Sequence, residues 1–152
     1  MDDFEIIGGY KIDVDEVKKI YDMFKSYFYP KLYAYWRIKH RKSGYDLNKR
    51  ITFKFSYHSN KYIKDSKITT LDDVAKLYIL YDCDCEMQGV NFLAFKKKKL
   101  NNANIYEKLI DVVCEIINNV FDLCPSEGFN RIFGMRPNTF YNKLLKSNNF
   151  DI

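Results

Sequence analysis

Long apolar runs are missing from this chain: none approaches the 18 or so residues that a membrane-spanning helix needs. The N-terminus, MDDFEIIGG, is acidic and lacks the basic and apolar regions of a secretory signal, so a cytoplasmic protein is expected. Histidine is scarce, with only His40 and His58, and no motif marks either as half of a nucleophile–base pair. The glycine-rich signatures of nucleotide and hydrolase chemistry (GxGxxG, the P-loop, GxSxG) are absent, and Gly8-Gly9 is too short to cradle a phosphate. The four cysteines, Cys83, Cys85, Cys114 and Cys124, supply no CxxC spacing, and the two histidines no HxxxH. Without a secretory signal they read as reduced thiols rather than disulfides. These absences lead to the expectation of a non-enzyme with no catalytic residue, no cofactor, no resident metal and no membrane partner.

What is present is a globular composition, 47% hydrophobic and 30% charged, over 152 residues, enough for a core without staples. The Lys, Asn, Ile and Tyr content suggests an AT-rich genome of bacterial, phage or viral origin. Aromatics reach 17%, with 13 Tyr and 12 Phe, a density that suits a thick core, an interface or base-stacking positions alike. The net charge of +5 is unevenly spread. Residues 30–64 hold ten Lys or Arg against the single Asp46, and Lys96–Lys99 form a run, whereas residues 1–29 and 65–95 are acidic. Basic segments that converge on one face make the footprint of a polyanion binder; scattered ones are solvated surface.

Along the chain, Asp13 with Glu16 resembles a capping box, and Val14, Val17, Ile20, Tyr21, Phe24 and Phe28 form a helical stripe over 14–29 that Pro30 should end. Residues 31–38 alternate Leu32, Ala34, Trp36 and Ile38 with polar or aromatic neighbours; strand is favoured and helix stays open. Arg50–Tyr57 reads as the clearest strand, with Ile51, Phe53, Phe55 and Tyr57 on one face. Tyr62-Ile63 is a candidate short strand, and Val90–Phe95 another that the lysine run should stop. Thr70 to Asp73 caps a helix over 71–81, and residues 103–122 give the longest amphipathic helix. The expected fold class is α+β, with amphipathic helices packed on a small, mostly antiparallel sheet and a C-terminal three-helix unit. A division into 1–99 and 100–152 follows, as two subdomains or one continuous domain.

The segment Cys124–Phe150 carries the most mechanism. Ser126 reads as the N-cap of a short helix ending near Phe133, Gly134 as the turn glycine, and Pro137 as the start of a second helix with Phe140, Leu144 and Leu145 on its apolar face. Two short helices joined by a glycine turn make a helix-turn-helix shape. The run Gly134-Met135-Arg136-Pro137-Asn138-Thr139-Phe140-Tyr141-Asn142-Lys143-Leu144 resembles the turn and recognition helix of the Fis-type helix-turn-helix family, over residues 126–147. It departs from that pattern at Asn130, where a small residue is usual, and Gly128 should weaken its helix by about 1 kcal/mol relative to Ala. The resemblance implies that Arg136, Asn138, Thr139, Tyr141 and Asn142 face a major groove, while Phe133, Met135, Phe140 and Leu144 join the helices. Arg131, Lys143 and Lys146 would hold phosphates, and Arg37, Lys39, Arg41 and Lys42, with Lys96–Lys99, would extend the contact. The implied partner is double-stranded DNA, read by a homodimer in transcriptional or recombinational control.

Two other readings stand beside this one. The Tyr-rich N-terminal half also suits a protein target, as in a small inhibitor encoded by a phage, virus or mobile element. In an extended segment Asp82, Asp84 and Glu86 share a face, the arrangement of a hard-cation site in a metal-dependent nuclease. Otherwise Asp82 to Glu86 is an acidic surface turn.

Overall fold

A computed structural model of the chain describes residues 14–55, 67–84, 94–97 and 104–147. Helix α1, Val14–Met23, begins with Asp15 and Glu16 in its first turn, where carboxylates oppose the positive end of the helix dipole. Val17 and Ile20 are buried along it. The chain does not stop at Pro30. A π-helical turn, Phe24–Phe28, follows directly, and α2, Tyr29–Lys39, starts with Pro30 in its first turn. Inside a regular helix the proline ring would meet the carbonyl four residues back. The widened turn, closed by Tyr29 N–H donating to the Phe24 carbonyl, shifts that register, so the helical path continues past the proline.

Residues 31–38 are therefore helix rather than the favoured strand, with Leu32 and Trp36 buried four residues apart. Arg50–Tyr57 is corrected as well. Leu47–Phe55 is helix α3, and Leu47, Ile51 and Phe55 are buried at four-residue spacing. Ile51 and Phe55 satisfy both a two-residue and a four-residue period, and only Phe53 distinguishes them: it is 62% exposed. Asp46 opens α3, its carboxylate accepting from Asn48 N–H at 3.0 Å while its carbonyl accepts from Arg50 N–H.

Helix α4, Leu71–Leu80, begins with the full capping box: Thr70 Oγ1 accepts from Asp73 N–H and Asp73 accepts from Thr70 N–H. It runs straight into β1, Tyr81–Asp84, which pairs antiparallel with β2, Ala94–Lys97, in the register Cys83 to Phe95. Of the strand expected at Val90–Phe95, Ala94 and Phe95 lie in β2, which continues into the lysine run; residues 90–93, 56–57, Tyr62-Ile63 and Asp13 lie outside the described residues. Helix α5, Ile105–Asn119, is followed by α6, Pro125–Phe133, and α7, Pro137–Ser147. Helix α6 starts at Pro125, so Cys124 holds the N-cap place expected of Ser126.

The α+β expectation is thus overturned. Helices pack on helices, and the β content of the described residues is one two-stranded ribbon, not a layer that helices cover. One buried cluster draws side chains from all seven helices, so the core crosses the division expected near residue 100. Polar ties reinforce it. Lys108 on α5, itself buried, reaches Glu16 on α1 at 2.5 Å, and Arg50 and Lys54 on α3 pair with Asp122 beyond α5. On α1 and α4, burial pushes the Asp72 carboxyl up, but the Tyr21 hydroxyl, Lys76 and Lys25 outweigh it and hold the group below its ordinary value. No helix among the described residues is long and apolar enough to cross a membrane.

Candidate nucleic-acid interface

Helices α6 and α7 are joined by Gly134, Met135 and Arg136, a turn of the length helix-turn-helix pairs use. Gly134 takes the left-handed conformation at φ 82°, and its N–H closes onto the Asn130 carbonyl at 2.8 Å, ending α6. Pro137 then starts α7, and Phe140 N–H donates to the Arg136 carbonyl. Phe140 and Leu144 are fully buried, and Phe133 and Met135 pack partly buried against the same core.

Beneath the pair lies an aromatic cluster anchored by the π turn. Phe28 sits 5.2 Å from Phe133, 5.6 Å from Phe140 and 6.3 Å from Phe129, centroid to centroid, and Phe129 lies 5.4 Å from Phe140 edge to face. Gly128 is what lets α6 approach α5. A Cβ placed there would stand 2.5 Å from Ile117 Cγ2 and 3.0 Å from Leu123 Cβ. The glycine expected to weaken its helix is also one that the packing requires, while Asn130, where the resemblance has a small residue, is exposed.

With Phe140 and Leu144 turned inward, α7 turns Asn138, Thr139, Asn142, Lys143 and Lys146 outward, all exposed, with Arg136 exposed at its entry. Tyr141 is half-buried against the core. Arg131 is exposed on α6. Arg136 Nη1 donates to Ser126 Oγ at 2.8 Å, fixing the guanidinium across the start of α6. Arg131, Lys143 and Lys146 join no salt bridge among the described residues, and residues 125–147 contain a single acid, Glu127. The outer face of α7 is thus mainly polar and cationic on an apolar base, but Leu145, expected on the buried face, is 48% exposed beside Leu144.

Arg37, Lys39, Arg41 and Lys42 form a second patch, at the far end of α2 and in the turn after it, all exposed. At 1.5 Å per residue, the stretch from Phe28 to Lys39 spans roughly 16 Å, so this patch sits about a helix length from the cluster under α6 and α7. The Lys39 ammonium lies over the Tyr35 ring at 5.9 Å. Of the lysine run, Lys96 and Lys97 lie in β2, and Lys98 and Lys99 lie outside the described residues. The aromatic residues beside the α2 patch, Tyr33, Trp36 and Tyr45, were not singled out as binding residues; their interleaving with basic residues in KLYAYWRIKHRKSGY is the signal that marks them.

Of the acidic trio, Asp82 and Asp84 stand in β1, opposite Lys96 and Ala94 of β2, and Glu86 lies outside the described residues. No metal-holding group of three is found among the described residues. Cys83, Cys114 and Cys124 are free thiols, and Cys85 is outside the described residues. Burial, then Asp111 and Glu115, pushes the Cys114 thiol up to about 12, which disfavours the thiolate form. Comparison with family models, curated proteins and solved structures yields no match, so the geometry stands by itself.

Proposed function

We propose that this protein binds double-stranded DNA through α6 and α7, with α7 lying in the major groove. The observation that carries this reading is the outer face of α7: amide, hydroxyl and cationic side chains on one side of a helix whose other side is fixed by Phe140 and Leu144. In this arrangement Arg136, Asn138, Thr139 and Asn142 meet base edges, and Arg131, Lys143 and Lys146 meet phosphates on either side. The start of α7 brings the positive end of its dipole to the same surface. A single pair of helices offers few contacts, so the functional unit is a homodimer on a two-fold site, in control of transcription or recombination. Arg37, Lys39, Arg41 and Lys42 lie on a separate surface and stand outside this footprint.

Binding to duplex DNA followed by fluorescence anisotropy from ~50 to ~200 mM salt tests the proposal, since each neutralised phosphate contributes about −0.9 to the slope of log K against log salt. Lys143→Ala/Lys146→Ala should make that slope shallower by about 2, and Arg136→Ala/Asn142→Ala should weaken preference among sequences. Absence of binding at the lowest salt overturns the reading. A protein target then becomes the better account, with an observation of its own in Phe53, largely exposed on α3.

A further inference from the structure

The turn between α2 and α3 folds back to form an open cleft of about 640 Å³, within the size range of small-ligand sites. Its walls are built around Trp36. The indole Nε1 donates to the Tyr45 carbonyl at 3.0 Å, the His40 ring lies 3.9 Å away, and the Tyr45 ring 5.9 Å away, all centroid distances for the rings. Phe121 backs the indole from the core side at 5.4 Å. Ser43 Oγ, which donates to the His40 carbonyl at 3.0 Å and accepts from Tyr45 N–H, fixes the turn. The cleft is therefore preformed by hydrogen bonds and ring contacts.

Two features of this cleft go beyond what holds it together. Ile38 is 74% exposed and Tyr45 38% exposed, so an aliphatic and an aromatic surface in the same lining are open to solvent. Arg37 and Arg41 also line it, and among the described residues neither guanidinium makes a hydrogen bond or ion pair; the Arg41 backbone N–H is engaged, on the Ile38 carbonyl. The only acid in the lining, Asp46, already accepts from Asn48 N–H at the start of α3. The local field is positive, which shows in His40: burial, then Lys39 and Arg50, holds its imidazole below the ordinary range.

From this we infer that the cleft takes a nucleotide whose base is unpaired, with the base against Tyr45 and Ile38 and its phosphate on Arg37 and Arg41. An anion alone needs no flat apolar wall, and an apolar ligand alone gains nothing from two uncommitted guanidinium groups. A phosphorylated aromatic ring uses both, by stacking and by charge-assisted hydrogen bonds. The source is either a free nucleotide or a single strand. The inference rests on the α2–α3 cleft and is independent of the duplex reading of α7.

Trp36 is the one tryptophan in the chain, so its emission reports on this cleft alone. The full-length protein is titrated with AMP, short oligodeoxyadenylate, adenosine, inorganic phosphate and polyglutamate, following Trp36 fluorescence. A saturable change with AMP or oligodeoxyadenylate is expected, with adenosine and phosphate each at least about tenfold weaker. Equal affinity per site for AMP and the oligomer assigns a free nucleotide; response to the oligomer alone assigns a single strand. Arg37→Ala/Arg41→Ala and Tyr45→Ala should each weaken binding by about tenfold or more, with Tyr45→Phe close to wild type and helical circular dichroism unchanged. No change in emission with any titrant overturns the inference. So does phosphate or polyglutamate matching AMP, which leaves a general anion patch. Testing the Arg136→Ala/Asn142→Ala protein alongside separates the two sites: its Trp36 response stays at wild type whether or not duplex binding is lost.

Discussion

The α6–α7 pair and the α2–α3 corner are two cationic surfaces among the described residues, and they are built in opposite ways. The first is convex: side chains of α7 project from a helix whose inner face is locked by Phe28, Phe129, Phe133 and Phe140. The second is concave: Trp36, His40 and Tyr45 form a wall, and Arg37 and Arg41 rise from its rim. A projecting helix fits into a groove, whereas a cleft receives a ring or a chain end. Similar charge at two sites therefore does not mean similar ligands, and shape decides between them.

The α6–α7 surface rests on Phe28 of the π turn, from which α2 runs on to the corner, and the largest expected effect comes from removing that side chain. Phe28→Ala should cost about 3–5 kcal/mol in urea unfolding, and it should loosen α7 and the corner together. A loss under about 1 kcal/mol would break the claim that one core supports both surfaces.

Gly128→Ala separates them. Despite the better helix propensity of alanine, the overlap with Ile117 should destabilise the chain by about 1–3 kcal/mol and weaken duplex binding, while Trp36 emission stays unchanged. A more stable Gly128→Ala protein would remove the close contact from the account of α6. The converse is Asp46→Ala, which strips the first turn of α3 of its cap at a cost of about 1 kcal/mol. Trp36 emission should shift, since Tyr45 next to Asp46 holds the indole N–H, and duplex binding should not change.

The smallest effect is a pH dependence that belongs to the corner only. The imidazole of His40 is held below its ordinary 6.5, so the folded state prefers it neutral. As pH falls, the unfolded chain takes up that proton first; the contribution to stability is full above about 6.5 and is lost as pH drops through the folded value. Because the ring lies 3.9 Å from Trp36, its protonation should quench indole emission with a midpoint under 6.5, and His40→Gln should flatten the profile. Residues 125–147 contain no histidine, and amide signals from α6 and α7 should not follow that midpoint. A midpoint at or above 6.5 would contradict the half-buried, cation-flanked placement of His40.

The two surfaces also differed in how far they could be read from residue order. In α5, α6 and α7 the apolar positions fit only a helical period, and Asn104, Pro125, Gly134 and Pro137 mark the ends. The existence of these helices and the Gly134 turn followed from such signals, whereas the start of α6 and the exposure of Leu145 did not. At the corner, Leu32, Ala34, Trp36 and Ile38 fit a strand as well as a helix, and so do Ile51, Phe53 and Phe55. Pro30, an ordinary stop signal, was overridden by a π turn, a device with no residue signature of its own. The cleft depends on α2 and α3 both being helices, which an alternating apolar pattern does not reveal.

Residue order by itself determined the Thr70–Asp73 cap, the Gly134 and Pro137 breaks and the uneven charge, because each is decided within a few neighbouring residues. Tertiary structure alone decided that Gly128 is a contact point, that Phe28 joins both halves, and that Trp36, Arg37, Arg41 and Tyr45 share a cleft. Those outcomes depend on which buried surfaces meet, and an apolar residue that fits two periods takes the one whose partner excludes more water.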